Sequence, residues 1–384
     1  MSTRTAGPGP RIEEIDVIRG MALYGVLIIN LVYAFRVPDF TPAVSEPRRL
    51  EHVVASFLAV VVTEKAMTLF SVLFGVGLSI FRERSGMLLL PRRIVVLLAF
   101  GVLHTFGLWD GDVLTTYALS GFLALMFLRG RPWMLVAVAV TLLAVHPLIS
   151  LYCPRWLATP RPEPADYSDQ VLATYGRGTY GEIFVFRAHD VLARFKVLLI
   201  VAVPRALGNM LVGVAIWKSG ILARVPNHRR ALRWMAIGGI AVGAGYSLHD
   251  EVAAALAGTP SPWNLLRRVV WSFTVVPQAL GYGAALLLAL QHPRARPWLL
   301  RLAPLGRMAF TNYLTQTIVL STLFYGYGFG LMGRLGVSEG VLLGTVLFVI
   351  QGYVSSYWLR HFKYGPFEWI WRCLTYGRWQ AIRL

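Results

Sequence analysis

Cysteine is nearly absent from this 384-residue chain: Cys153 and Cys373 are the only two, one at the end of an apolar stretch and one in the C-terminal tail. So sparse a set argues against a disulfide framework and against a thiolate metal site. Charge is scarce too, at 15% of residues, and acids number 19 against 37 bases. Signatures of familiar soluble enzymes are missing. There is no glycine-rich strand-to-helix loop for a nucleotide, no His-Glu-x-x-His for a metal and no serine elbow for covalent hydrolysis. A cleavable export signal is not expected either, because the first apolar run lacks a small-residue cleavage site and carries Asn30 where one would lie.

What the chain has in abundance is apolar surface, with 56% hydrophobic residues and a mean hydropathy of +0.57. Runs of roughly 20 apolar residues read as bilayer-spanning helices, since lipid offers the backbone no hydrogen-bond partners. An all-α polytopic bundle of about ten spans follows, at 16–35, 53–81, 92–109, 113–128, 133–152, 191–217, 233–256, 268–290, 309–330 and 339–359. The second span is too long for one simple crossing and holds Glu64 and Lys65, so either a steep helix or a break is expected there, the favoured break separating an amphipathic piece over 48–62 from a crossing piece over 66–81.

A net charge of +18 would suit nucleic acid only if the arginines shared one exposed surface, and here they punctuate apolar segments instead. The connections alternate between arginine-rich and arginine-poor. Arg82, Arg84, Arg92 and Arg93 flank one short turn, whereas the next, Trp109-Asp110-Gly111-Asp112, has two acids and no base. The rich set is expected in the cytoplasm, with both termini. The chain is then a single membrane domain, 1–384, with an external loop at 153–190 and a cytoplasmic interfacial tail at 360–384. That tail has a helix start at Gly365-Pro366-Phe367-Glu368, and its mixed tryptophans and arginines suit the lipid headgroup zone. Lys363 and Arg372 could alternatively form an anion mouth with Arg301 and Arg307. Glycines such as Gly75, Gly208, Gly213, Gly239 and Gly243 offer small faces for helix packing, within one chain or in a homodimer.

Polar residues inside apolar runs are the candidate site. His104 lies about one turn below the outer end of its helix, and the acidic turn brings Asp110 and Asp112 back beside it. A carboxylate that orients an imidazole makes a general base, although Asp112 could equally cap the following helix and His104 could bond a carbonyl. Asn30 needs a partner, as packing glue or as a site residue. Asp16 and Arg19 share a helix face and can pair; Arg19 could instead meet an anionic ligand. Glu64 is a candidate acid or substrate contact, with Lys65 beside it. Arg205 and Asn209, at i and i+4, could hold an anion, and Glu64 or Asp110 are the acids Arg205 could pair with. Gln278 follows Pro277. Asn312 and Gln316 form a polar stripe that could meet a cofactor or hold the helix to the first one.

Several blocks resemble the YeiB-like family of bacterial inner-membrane proteins. They are Ile15-Asp16-Val17-Ile18-Arg19-Gly20 with Asn30, Glu64-Lys65 before Leu69-Phe70-Ser71, His104 with Leu108-Trp109-Asp110-Gly111-Asp112, Gly306-Arg307-Met308-Ala309-Phe310-Thr311-Asn312-Tyr313, and Tyr364-Gly365-Pro366-Phe367-Glu368-Trp369. That family is similar to a wider superfamily of membrane acyltransferases, the heparan glucosaminide acetyltransferases among them. The resemblance implies acyl-CoA or acetyl-CoA as a donor at the cytoplasmic side, no metal, and an acceptor reaching the bundle from outside. The catalytic histidine of the acetyltransferases lies just after their first helix, whereas the first histidine here is His52, which leaves His104 as the candidate.

The expectation is thus a membrane acyltransferase carrying a short acyl group to a hydroxyl or amine of an envelope glycan, lipid or small metabolite. His104 would be its base, oriented by Asp110 or Asp112, with Asn30 or Arg205 donating to the thioester oxygen. Two alternatives stand beside it: a transporter of a small anionic or amphipathic solute using Arg205, Glu64 and Lys65, and a non-catalytic lipid-binding or assembly protein.

Overall fold

The computed structural model describes residues 12–35, 49–152, 164–256 and 264–384. Helix dominates them. The long elements are α1 (Glu13–Asn30, extended by a π turn to Phe35), α2 (Arg49–Val61), α3 (Lys65–Ser85), α4 (Leu89–Gly107), α5 (Leu114–Phe127), α6 (Pro132–Tyr152), α7 (Pro164–Arg177) and α8 (Tyr180–Val197). A π turn joins α8 to α9 (Val203–Ser219), and α10 (Arg229–Leu256), α11 (Asn264–Ala289), α12 (Ala309–Phe324), α13 (Val337–Trp358) and α14 (Pro366–Tyr376) follow. Among the described residues seven helical stretches are long and apolar enough to cross a membrane: Glu13–Phe35, Leu50–Ser85, Leu89–Gly107, Pro132–Ile149, Tyr180–Ser219, Val269–Ala289 and Val337–Trp358. The chain is an all-α polytopic membrane protein.

Each of the ten expected spans falls on a helix, but not all are built as expected. α5 has 14 residues, about 21 Å of rise against a hydrocarbon layer of about 30 Å, so it is short for an upright crossing. The ninth stretch stops at Phe324 instead of 330, where the chain turns at Tyr325. The sixth begins at Tyr180, and α7 precedes it, so 164–190 is helical and not the loop that its composition suggested. The capping box Thr179/Glu182 starts α8, with the Thr179 N–H donating to Glu182 Oε2 at 2.7 Å. The prolines at 154, 160 and 162 and Cys153 lie outside the described residues, while Cys373 is a buried free thiol.

The second stretch is broken, the favoured of the two alternatives, and not one steep helix. α2 and α3 meet at Glu64, whose φ of 66° is a backbone state that residues with a side chain rarely adopt. The carbonyls that the break leaves open at the end of α2 are taken by side chains. Lys65 Nζ donates to Ala59 O (2.7 Å), Gln278 Nε2 to Val60 O (2.9 Å) and the Tyr282 hydroxyl to Val61 O (3.0 Å). A cation at this point also suits the negative end of the α2 dipole.

α3 crosses α9 almost backbone to backbone. A Cβ on Gly75 would come within 2.0 Å of Met210 O, and one on Gly213 within 1.9 Å of Val72 O. Leu90, Ile94, Leu97, Ala118, Met210 and Val214 fill the core around this crossing.

Hydrogen bonds sort the connections into two ends. At one end Arg296 meets Glu13, Trp217 meets Glu83, Lys218 meets Gly130 O, Ser85 meets Tyr376 and Trp371 meets Arg93 O. At the other, Tyr180 donates to Gly107 O, Gly326 N to Tyr175 O, and Glu51 accepts from Val337 N and Ser338 at the start of α13. The arginine-rich connections gather at the first end and the acidic turn at the second.

Candidate functional site

α4 ends where Leu108 N and Trp109 N both bond back to His104 O. The next residues reverse the chain within Asp110-Gly111-Asp112, and Gly111 is needed because a Cβ there would sit 2.2 Å from the Trp109 indole. The reversal brings Asp112 over the imidazole. Asp112 Oδ2 accepts from Thr115 N at 2.7 Å and so caps α5, while Oδ1 lies 2.9 Å from His104 Nδ1. Both side chains are 1% exposed. The close pair lies at contact distance without the alignment of a formal hydrogen bond, and His104 Nε2 has no protein partner among the described residues. The Tyr313 ring lies 5.3 Å from the imidazole, and its hydroxyl accepts from Val113 N at 3.3 Å. Trp109, in the same reversal, joins an aromatic cluster in which the Phe35 ring lies 4.9 Å from Trp109 and 5.6 Å from Tyr325.

A buried imidazole with a carboxylate at Nδ1 keeps its proton on that nitrogen and presents the Nε2 lone pair. That is the arrangement of a general base. Of the two acids expected to orient His104, only Asp112 does so. Asp110 turns to Arg194 at 2.5 Å, and the same guanidinium pairs with Asp190 one turn earlier on α8.

The other expected residues are placed as follows. Arg205 pairs with Glu64 across the α2/α3 break and lies 5.5 Å from the Trp271 ring, so it is engaged where the sequence left an anion site open. Lys65, 1% exposed, also donates to Ser247 Oγ at 3.2 Å. Asn209 is buried and its Oδ1 has no partner among the described residues; the same holds for Gln278 Oε1. The polar stripe on α12 grips α13 rather than α1. Asn312 Nδ2 donates to Ser355 Oγ (3.0 Å) and Leu305 O (3.3 Å), and Gln316 Nε2 donates to Gln351 Oε1 (2.8 Å). Arg19 contacts Asp16 at 3.2 Å. Asn30 is half-buried at the end of α1.

Two features escaped the sequence. Glu368 lies in the first turn of the tail helix, as expected, but it also caps α12, which was not: Oε1 accepts from Phe310 N (2.8 Å) and Thr311 N (3.1 Å), and Oε2 from Thr311 Oγ1 (2.5 Å). Burial raises its carboxyl above the ordinary carboxylate range, against the lowering effect of these bonds. The second is Arg187 on α8, entirely buried, with Nη1 donating to Phe106 O at 3.1 Å. The signal for it was the sequence Arg187, Asp190, Arg194 at spacings of three and four, which marks one helix face; prolines upstream drew the segment into a loop. Around the tail, Arg93 lies 3.7 Å from the Trp371 ring centre, and Arg372 lies 4.3 Å from that of Tyr364.

Residues 216–378 match the family described as "Protein of unknown function (DUF418)". The chain is 32% identical to the uncharacterized protein YxaH of Bacillus subtilis (strain 168), with 97% of this chain and 96% of that protein covered. It is 30% identical to the uncharacterized 39.9 kDa protein in the amylase 3' region of Bacillus acidopullulyticus, over 96% and 94% of the two chains. It is also 30% identical to the uncharacterized protein YeiB of Escherichia coli (strain K12), over 95% and 96%. No solved structure matches.

Proposed function

The chain belongs to the YeiB/YxaH family of bacterial membrane proteins, and from that premise we propose that it is a membrane acyltransferase. In this reading a short acyl group passes from acyl-CoA, entering from the cytoplasm, to an acceptor hydroxyl or amine of an envelope sugar, lipid or small metabolite. All ten apolar stretches lodge in the inner membrane, both termini are cytoplasmic, α14 lies at the inner interface, and the His104 end faces outward. A homodimer would use the small positions left open, Gly77, Gly238 and Gly245, since Gly75, Gly208, Gly213, Gly239 and Gly243 pack within the chain.

The observation that carries the reading is the enclosed His104–Asp112 pair with a free Nε2. Nε2 would accept the acceptor's proton as its oxygen or nitrogen attacks the thioester carbonyl. The C–S bond then breaks, and the imidazolium returns the proton to the leaving CoA thiolate. Asp112 stabilises the imidazolium formed between the two steps. With Arg205 held by Glu64, Asn30 is the remaining expected donor to the carbonyl oxygen, a role worth about 3 kcal/mol in a dry site. At 2% exposure His104 is reached only when the side chains around it move aside.

The test is acyl transfer by purified protein in lipid nanodiscs, wild type against His104→Gln, across a panel of acyl-CoA donors and envelope acceptors. The variant should lose transfer by about 10²-fold or more while still binding donor. Undiminished transfer rejects His104 as the base, and failure of every acyl-CoA to bind rejects the enzyme. One observation favours transport as a second reading: the break at Glu64, since discontinuous helices commonly line solute sites. Solute flux into proteoliposomes without covalent change would establish that reading instead.

A further inference from the structure

Arg187 is the largest side chain sealed completely inside the protein. A guanidinium does not lose its charge on burial, so its hydrogen-bonding deficit cannot be relieved by deprotonation. Nη1 is anchored on Phe106 O, but Nε and Nη2 have no partner among the described residues. No described carboxylate lies within ion-pairing distance of it. The acids on the same face are already engaged, Asp190 by Arg194 and by the Tyr167 hydroxyl (2.9 Å), and Asp110 by Arg194. The rings of Tyr175 and Tyr325 flank the guanidinium, their centres 5.9 and 5.8 Å from Cζ. The Tyr175 hydroxyl is buried beside this guanidinium, where its oxygen can accept from Arg187, and its own proton has no well-aligned acceptor among the described residues.

The geometry of the unmet donors is specific. Nε and Nη2 form one lateral edge of the guanidinium, the edge whose two parallel N–H bonds match the two oxygens of a carboxylate or phosphate. Asp110 and Asp190 together balance Arg187 and Arg194 in charge, so the site lacks directional acceptors more than net charge. Ordered water could satisfy single donors, but it does not match the fork.

We propose that Arg187 and Tyr175 form a binding site for a carboxylate or phosphate group, held bidentate by the Nε/Nη2 edge with the Tyr175 hydroxyl as a third donor. The site lies toward the acidic-turn end of the bundle, because Phe106 lies two residues after His104 on α4, and a ligand enters it only as the enclosing side chains move. It stands whether or not the chain transfers acyl groups. The oxyanion can belong to a free solute or to a lipid headgroup, and the assay separates them.

Full-length protein in phosphatidylcholine nanodiscs is titrated with acetate and with inorganic phosphate against chloride at constant ionic strength, following thermal unfolding. A second series replaces part of the phosphatidylcholine with phosphatidylglycerol. The site predicts a saturable, oxyanion-specific rise in melting temperature in the first series for a free ligand, or stabilisation by phosphatidylglycerol in the second for a headgroup. Tyr175→Phe keeps the ring and loses one donor, and Arg187→Lys keeps the charge and loses the fork; each should weaken the response by about tenfold. A wild type that responds to acetate, phosphate and phosphatidylglycerol no more than to chloride and phosphatidylcholine overturns the proposal in favour of buried water. Equal responses in the wild type and in Tyr175→Phe overturn it in favour of a site elsewhere.

Discussion

Replacing Asp112 with asparagine separates the two tasks that one carboxylate performs. Oδ2 caps α5 through Thr115 N, and Oδ1 faces His104 Nδ1 at 2.9 Å. Asparagine has a single acceptor oxygen, and it is as good an N-cap as aspartate. With that oxygen on Thr115 N, the amide NH2 must face Nδ1. The imidazole then accepts at Nδ1 and carries its proton on Nε2, which is the wrong tautomer for a base. Stability should fall by less than about 1 kcal/mol, the loss of a charge near a helix N-terminus. Acyl transfer should fall by about 10²–10⁴-fold. Asp112→Ala loses the cap, about 1 kcal/mol, and also strands the buried Nδ1, a further 1–3 kcal/mol or so. Paired measurements decide the matter: denaturation of both variants, transfer rates of both, and ¹⁵N shifts of the His104 ring in Asp112→Asn. A fully active Asp112→Asn protein would refute the reasoning, as would one as unstable as Asp112→Ala or one whose ring proton stays on Nδ1.

Glu368 gives a pH dependence with a definite sign. Its folded carboxyl lies above the ordinary value, so its stabilising contribution is complete below about pH 4.3 and is lost as pH rises through the folded value. Melting curves of Glu368→Gln, neutral throughout, should lack that slope; parallel profiles in variant and wild type would contradict it. Across the helix break, a double-mutant cycle of Glu64→Gln and Arg205→Gln should give a coupling of about 1–3 kcal/mol, given side chains only 29% and 23% exposed. Glu64→Gly should cost less than Glu64→Ala by about 1 kcal/mol, because alanine keeps the strain of positive φ; equal losses would show that the backbone there has relaxed.

The fold was legible wherever apolar length and arginine alternation were strong, as at Arg82–Arg93 against Asp110–Asp112, because those patterns depend on the solvent around the chain and not on its tertiary contacts. The break at Glu64 was legible for the same reason, since 36 residues from Leu50 to Ser85 exceed one simple crossing. Partners were harder to read. Asp112 and Asp110 are equivalent on paper, and only the direction of the reversal after α4 gives one to His104 and the other to Arg194. Arg205 was recognised as needing a partner, whereas Asn312 and Gln316 found theirs on α13, a helix that their own spacing could not name. Arg187 went unseen because its segment is polar enough to pass for loop, and its burial draws on Tyr325, distant in sequence, as well as on Tyr175 of the preceding helix.

Glu368 closes the first turn of α12 from more than fifty positions downstream, so that turn stays open until the last part of the polypeptide has been made. Assembly in the membrane therefore cannot finish in the order of synthesis. A truncated product ending after α13 would leave two exposed amide donors and a displaced Thr311 at the start of α12, a defect that a quality-control protease could detect long before any activity was missed.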